Sequence, residues 1–137
     1  MKHKMLAPYM QTARAFAKLS YATRKKVGGV AITPQDVMVY SWNGRPIGDD
    51  NNCEDEGGNT HQDVLHCESN LVAKAAREGI SLKGSTVVVT LSPCLNCSKQ
   101  MYQAGVMRVV YDEEYRDLSG IDFLRKHSVF VEQYEEN

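Results

Sequence analysis

Leu65-His66-Cys67-Glu68-Ser69-Asn70 opens one helical stretch and Ser92-Pro93-Cys94-Leu95-Asn96-Cys97 opens another, with a β-rich run between them. That helix, strand, helix succession decides the fold. Over residues 66–78 the apolar positions Leu71, Val72, Ala75 and Ala76 share a helical face, and Gly79 supplies the stop. Ser-Thr-Val-Val-Val-Thr-Leu at 85–91 has almost no polar alternation, as expected of a strand buried on both faces. Pro93 suits the first turn of the following helix, which runs to about Ala104 and stops at Gly105.

The same reading extends in both directions. Leu6, Tyr9, Met10, Ala13, Phe16, Ala17 and Ser20 recur at spacings of three and four, which predicts a helix over 3–20. A basic loop, 21–26, leads to two β-rich runs, 27–32 and 37–42, joined by the turn Thr33-Pro34-Gln35-Asp36. Downstream come a strand at 108–111, a short helix at 121–126 and a last strand at 128–133. The order α-β-β-α-β-α-β-α-β predicts an α/β fold of three layers, with a central five-stranded mixed sheet between helices. From Asn43 to about Val64 the chain is rich in Gly, Asp and Asn and carries little periodicity. Loops of that length are functional or disordered, and this one's clustered Asp and Asn could hold a cation or solvate a surface.

The chain has 137 residues, 42% hydrophobic and 24% charged, with a net charge of −1. This is the composition and size of one globular domain, expected to span 1–137. A near-neutral surface has no field to hold a polynucleotide. No run is long enough to span a membrane, and Met1-Lys2-His3-Lys4 lacks a signal peptide's apolar core. The expected location is cytoplasmic, in the host cell if the chain is viral.

Chemistry concentrates on four residues. His66, Cys94 and Cys97 offer one imidazole and two thiolates, a donor set that suits zinc and leaves a fourth tetrahedral position for water. His66 and Cys94 are expected in the first turns of their helices, where the helix field favours thiolate. The C-x-x-C spacing places both sulfurs on one helix face. Zinc can lower the pKa of a bound water from 15.7 to about 7. Glu68, two residues past the histidine, can carry protons without being a ligand. A closed structural site needs a fourth protein ligand. Cys67 points about 100° away from His66 on a helix and is a poor one; Cys53 remains conceivable. Cys53 and Cys67 are otherwise expected to be free thiols.

H-x-E followed by P-C-x-x-C is the signature of zinc nucleobase deaminases. Over most of its length, from Val27 to about Asp117, the chain resembles the deoxycytidylate deaminases of bacteriophage type within the cytidine deaminase superfamily. His66-Cys67-Glu68-Ser69-Asn70 is similar to that family's H-A-E-x-N, and residues 90–97 to its T-L-x-P-C-x-x-C. Val27-Gly28-Gly29-Val30 is similar to its V-G-A-V, and residues 42–48 to its Y-N-G-x-P-x-G. Cys67 stands where the family has alanine, and Trp42 where it has tyrosine. The loop 21–23 lacks the cysteines with which some phage relatives hold a second zinc, so one zinc per subunit is expected.

The resemblance implies hydrolysis of dCMP to dUMP and ammonia, supplying thymidylate synthesis. Hydroxide attacks C4 of the base while Glu68 protonates N3 and then passes a proton to the leaving amine. It implies that Asn43 binds the sugar. Arg24, Ser92, Pro93, Tyr115 and Arg116 are the further substrate candidates, with Lys25, Lys26 and Arg45 as other cations for the phosphate. The family is commonly hexameric, activated by dCTP and inhibited by dTTP with Mg2+. Gly44, Arg45, Pro46, Gly48, Asp49, Asn70, Lys74 and Arg77 are the effector-site candidates. The alternatives are a deaminase of another cytosine or adenine nucleoside or nucleic acid, and a zinc-stapled binding module without activity.

Overall fold

The computed structural model describes residues 2–136. A short 3-10 turn, His3–Met5, leads into α1 (Leu6–Ala17). Next come β1 (Gly28–Ile32) and β2 (Met38–Trp42), then α2 (Cys67–Arg77), β3 (Thr86–Leu91), α3 (Leu95–Gln103), β4 (Arg108–Glu113), α4 (Ser119–Lys126) and β5 (Phe130–Gln133). The five strands form one sheet in the order β2-β1-β3-β4-β5. β1 is antiparallel to both β2 and β3, whereas β3-β4 and β4-β5 are parallel. The expected mixed sheet between helical layers is present, with the right number of strands.

Alternation along the strands sorts the core into two layers. Val30, Ile32, Val88 and Val110 face one side and pack on Leu6, Met10 and Ala13 of α1. Ala31, Val87, Val89 and Val109 face the other side, where Leu71 and Ala75 of α2, Met101 of α3 and Leu124 of α4 cover them. β3 is buried along both faces, as its uninterrupted valines require.

The elements depart from expectation mainly at their ends. The first helix stops at Ala17 because the next amides turn back to carbonyls three residues earlier, Leu19 to Phe16 and Ser20 to Ala17. The Ser20 hydroxyl then donates to the Asn43 carbonyl, tying the end of this helix to the end of β2. The last strand begins at Phe130 rather than 128, since Ser128 sits in the left-handed region at φ 65°.

The long segment after β2 is the larger correction: it is folded. Gly44 and Leu65 pair through both backbone bonds, 3.1 and 2.7 Å, and so close its two ends. The Arg45 guanidinium binds Asp50 at 3.0 Å and Asp63 at 2.9 Å. A small hairpin stands between these, with Glu54 bridged to Thr60 and His61 N–H on the Cys53 carbonyl. Asp55 Oδ1 accepts from Gly57 and Asn59 and shapes the tip. Of the acids expected to attract a cation, Asp50 and Asp63 are thus used on arginine, and Asp50 and Asp55 on backbone amides. Among the described residues, the one group of three or more His, Cys, Asp and Glu side chains that could share a metal lies elsewhere.

Candidate metal and catalytic site

Two helices begin at the same place. His66 is the N-cap of α2 (φ −65°, ψ 155°) and Cys94 the N-cap of α3 (φ −73°, ψ 170°). Both therefore sit one position before the first turn that the sequence suggested. Pro93 lies before the cap rather than inside the helix. Cap geometry turns a side chain toward the helix start: the Cys94 sulfur accepts the Cys97 N–H at 3.5 Å. Cys97, one turn into α3, follows on the same side. His66 Nδ1 lies 3.5 Å from each sulfur, and the donor atoms of all three residues fall within 4.8 Å of one another.

These separations can be tested against a zinc ion. Zn–S bonds of about 2.3 Å and Zn–N bonds of about 2.0 Å at tetrahedral angles set an N to S separation of roughly 3.5 Å. The distances observed match it, through Nδ1. Neither spare cysteine joins. Cys67 is buried with its sulfur against the Ser41 hydroxyl, 3.4 Å, and Cys53 is buried with its sulfur toward the Asn51 carbonyl. No fourth protein donor belongs to the cluster among the described residues, which is the arrangement of an open site.

The electrostatics favour thiolate at Cys94 alone, and the helix field does not carry Cys97 with it. The Cys94 thiol is held down to about 4 because the Cys97 thiol and the His66 ring hydrogen-bond its sulfur. Cys97 is pushed up, first by that same bond and then by burial. The His66 imidazole is raised by its contact with Cys94. The Ser69 hydroxyl reaches the Cys97 sulfur at 3.4 Å, a contact the sequence reading missed. The signal was available, since Ser69 lies three residues beyond His66 and hence on its face of the helix.

Glu68 is 5% exposed, in the first turn of α2. Burial raises its carboxyl to about 7, against a smaller lowering from backbone and from His66. A group at that value can hold or release a proton at neutral pH.

His66, Glu68 and Cys94 line a cleft of about 360 Å³, within the range of small-molecule sites. Leu91, Ser92 and Tyr115 form another part of the lining, and Ala22, Arg24, Lys25, Val27, Asn43 and Glu54 the wall supplied by earlier residues. Several expected substrate residues thus meet here: Asn43, Arg24, Ser92 and Tyr115. Pro93 and Arg116 do not line it, and Arg116 is exposed. Asn43 is partly committed, accepting from Val27 N–H at 2.9 Å and donating to the Lys25 carbonyl at 2.8 Å. It keeps one amide hydrogen and one lone pair for a ligand. The Ser92 hydroxyl accepts the Tyr115 N–H at 2.6 Å, so it holds Tyr115 in place. Lys25 is ion-paired with Glu113.

A glycine that the sequence reading passed over supports the metal loop. A Cβ at Gly120 would lie 2.1 Å from the Pro93 carbonyl oxygen and 2.7 Å from the Cys94 carbonyl carbon. α4 therefore packs its backbone directly on the segment that carries Cys94.

The effector candidates do not gather into one polar face. Gly44 and Asp49 are in backbone bonds, Gly48 is at φ 95°, and Arg45 is paired with two aspartates. Asn70 Nδ2 donates to the Trp42 carbonyl at 3.1 Å and Lys74 Nζ to the Tyr40 carbonyl at 2.9 Å, so both cap the outer edge of β2. Arg77 is exposed at the end of α2, and Pro46 is half-buried.

Residues 4–113 match the family model described as the cytidine and deoxycytidylate deaminase zinc-binding region. The chain is similar to a dCMP deaminase from the cyanophage S-TIM5, solved in complex with dCMP and dUMP. That likeness has a TM-score of 0.93 at 41% identity and covers 98% of this chain and 99% of the other. A deoxycytidylate deaminase of Mycobacterium phage D29 is 31% identical over 120 residues, 77% of this chain and 92% of the relative. That of Enterobacteria phage T2 is 47% identical over 51 residues, 37% of this chain and only 27% of the relative's length.

Proposed function

Because the chain belongs to the cytidine and deoxycytidylate deaminase family, we propose that it hydrolyses dCMP to dUMP and ammonia, with zinc held by His66, Cys94 and Cys97. One observation carries the proposal: a buried carboxyl, Glu68, stands beside an open three-donor cluster in a cleft whose other wall presents Arg24 and Lys25. Zinc bound there supplies a Lewis acid that acidifies water near neutral pH.

The chain's own groups do the rest. Glu68, poised near 7, delivers a proton to N3 of the cytosine ring and so draws electron density from C4. The conjugate carboxylate then takes a proton from the attacking water and passes it to the exocyclic nitrogen; as the C–N bond breaks and ammonia leaves, it takes the remaining proton of the new C4 hydroxyl, which leaves the C4 carbonyl and restores the acid. The proton is lent and returned, so one carboxyl serves both halves. The hydrogen bonds of Ser69 to Cys97 and of Cys97 N–H to Cys94 hold the sulfurs in register. Asn43 orients the sugar with its remaining donor and acceptor, and Arg24 and the Tyr115 segment receive the 5'-phosphate, joined by Lys25 when the phosphate displaces Glu113 from it. Val64 and Leu91 give the cleft apolar lining that limits water around the base.

The wider proposal places the product in thymidylate supply, with dCTP activating and dTTP inhibiting a hexamer, each effector bound with Mg2+ near residues 44–49. This rests on the resemblance of 42–48 to the family motif. Physically it requires an effector's phosphates to displace Asp50 or Asp63 from Arg45. The deciding experiment is ammonia release by zinc-loaded protein from dCMP, deoxycytidine, a cytosine-bearing single strand and tRNA. The expected outcome is turnover of dCMP above all others. Equal or better turnover of a polynucleotide, or none of dCMP, would overturn the substrate assignment. Rates unaffected by dCTP and dTTP with Mg2+ would remove the regulatory part alone.

A further inference from the structure

Among the described acidic residues only Glu54 and Glu68 are buried, at 6% and 5% exposure, and both line the same cleft. The proposed reaction uses Glu68 and leaves Glu54 without a task. Glu54 stands at the base of the hairpin in the segment after β2, bridged to Thr60. It reaches across to a stretch 31 residues earlier. Its Oε1 accepts the Thr23 N–H at 2.5 Å and the Thr23 hydroxyl at 2.9 Å. No ion pair to Glu54 occurs among the described residues. Backbone and hydroxyl donors, the Thr23 N–H first and the Arg24 N–H among them, hold its carboxyl below the ordinary range, so it is ionised.

A negative charge in the lining of a cleft for an anion opposes binding when it acts alone. What it grips reverses the expected sign. The two residues following Thr23 are Arg24 and Lys25, the cations of the cleft wall. Asn43 holds the other side of that stretch through the Lys25 carbonyl and Val27 N–H. The stretch has no secondary structure of its own between α1 and β1, and these two anchors fix its course.

We propose that Glu54 is a positioning residue for the anionic end of the substrate: its carboxylate, seated on Thr23, sets the backbone from which Arg24 and Lys25 meet the phosphate. This rests on the reading of the cleft as a nucleotide site. The consequence is selective. Losing Glu54 weakens recognition of the phosphate and leaves the base and the proton transfer alone.

The test uses zinc-loaded enzyme, with Glu54→Gln, Glu54→Ala and Arg24→Ala compared by KM and kcat for dCMP and by Ki for dUMP and for deoxyuridine, which lacks the phosphate. The expected result for Glu54→Gln is a KM for dCMP and a Ki for dUMP raised about tenfold, with kcat and the deoxyuridine Ki within about twofold of wild type. Arg24→Ala should show the same selective loss, and the double variant little more than either. An equal loss for dUMP and deoxyuridine, a fall in kcat at constant KM, or no change would overturn the proposal. Should both Glu54 variants melt before assay, Thr23→Val removes only the hydroxyl donor and must show a smaller loss of the same selectivity, and its absence counts against the proposal. Wild-type protein inactive on dCMP would instead refute the nucleotide reading itself.

Discussion

Glu68 owes its chemistry to where its carboxyl is buried. In water it would be ionised at neutral pH; burial in the first turn of α2 pushes it up to about 7, where it can both give and take a proton. Glu68→Gln keeps the shape and removes the exchangeable proton. Turnover should fall by about 10²- to 10⁴-fold, while zinc content and the melting temperature stay near wild type; a variant as active as wild type would exclude Glu68 as the proton carrier. A second residue pair couples sequence to packing. The chain has Gly29 and Cys67 where its family has alanine at both positions, and a Cβ on Gly29 would lie 2.9 Å from the Cys67 sulfur. The larger side chain at one position thus fills the space left by the smaller at the other. Gly29→Ala should destabilise by about 1–3 kcal/mol in urea unfolding. In a Cys67→Ala background the same change should cost far less, giving a coupling of about 0.5–3 kcal/mol. Additive losses would contradict this contact. Burial pushes the Cys67 thiol up, so it should resist alkylation in the folded protein.

At the scale of elements, what was legible in the sequence was whatever had a period or a fixed spacing. The α2 stripe, the valines of β3 and the H-x-E and C-x-x-C spacings are local patterns, and they led to the right elements and to the three donors that the structure brings together. The partners of Asn70 and Lys74 were not legible, because a helix side chain reaching over a strand edge leaves no periodic trace. Their spacing of four on α2 matches the spacing of two between Trp42 and Tyr40 on β2, so the pair of carbonyls at the open edge is capped twice. The Lys74 ammonium also stands 3.4 Å over the Tyr40 ring centroid, and Tyr40 stacks on Phe16 at 4.3 Å. Lys74→Ala should therefore lower stability by about 1 kcal/mol. It should also raise concentration-dependent light scattering, because an uncapped edge strand pairs with other chains. Unchanged scattering on prolonged incubation would show that this edge needs no guard. Residues 43–64 were legible only as an irregular loop, for a related reason. Asp and Asn look like solvated loop until Arg45 is seen to gather Asp50 and Asp63 from 5 and 18 residues away.

For the molecule as a whole, acid should act on the segment between β2 and α2 first. Glu54 is held below the ordinary carboxylate range by Thr23, and Asp63 by Arg45. Groups whose folded values are lowered contribute stability that is complete above their unfolded values and lost as pH falls through the folded ones. Amide exchange at Thr23 should therefore accelerate as pH drops below about 4, beyond the intrinsic rate, ahead of exchange in β3. Glu54→Gln should abolish that pH dependence at Thr23. Exchange that rises together at both places would show one cooperative unit with no weaker part.

The tip at Gly57-Gly58 lies outside every helix and strand, between two halves of the sheet that meet along the β1-β3 ladder. A nick there would separate Arg24, Asn43 and Glu54 from His66, Glu68, Cys94 and Cys97, so neither fragment could turn over substrate alone. Mixed, the two pieces have a whole antiparallel seam and both core layers through which to find each other, and recovered ammonia release would report their reunion: the enzyme divides, at an exposed turn, into a grip and a blade.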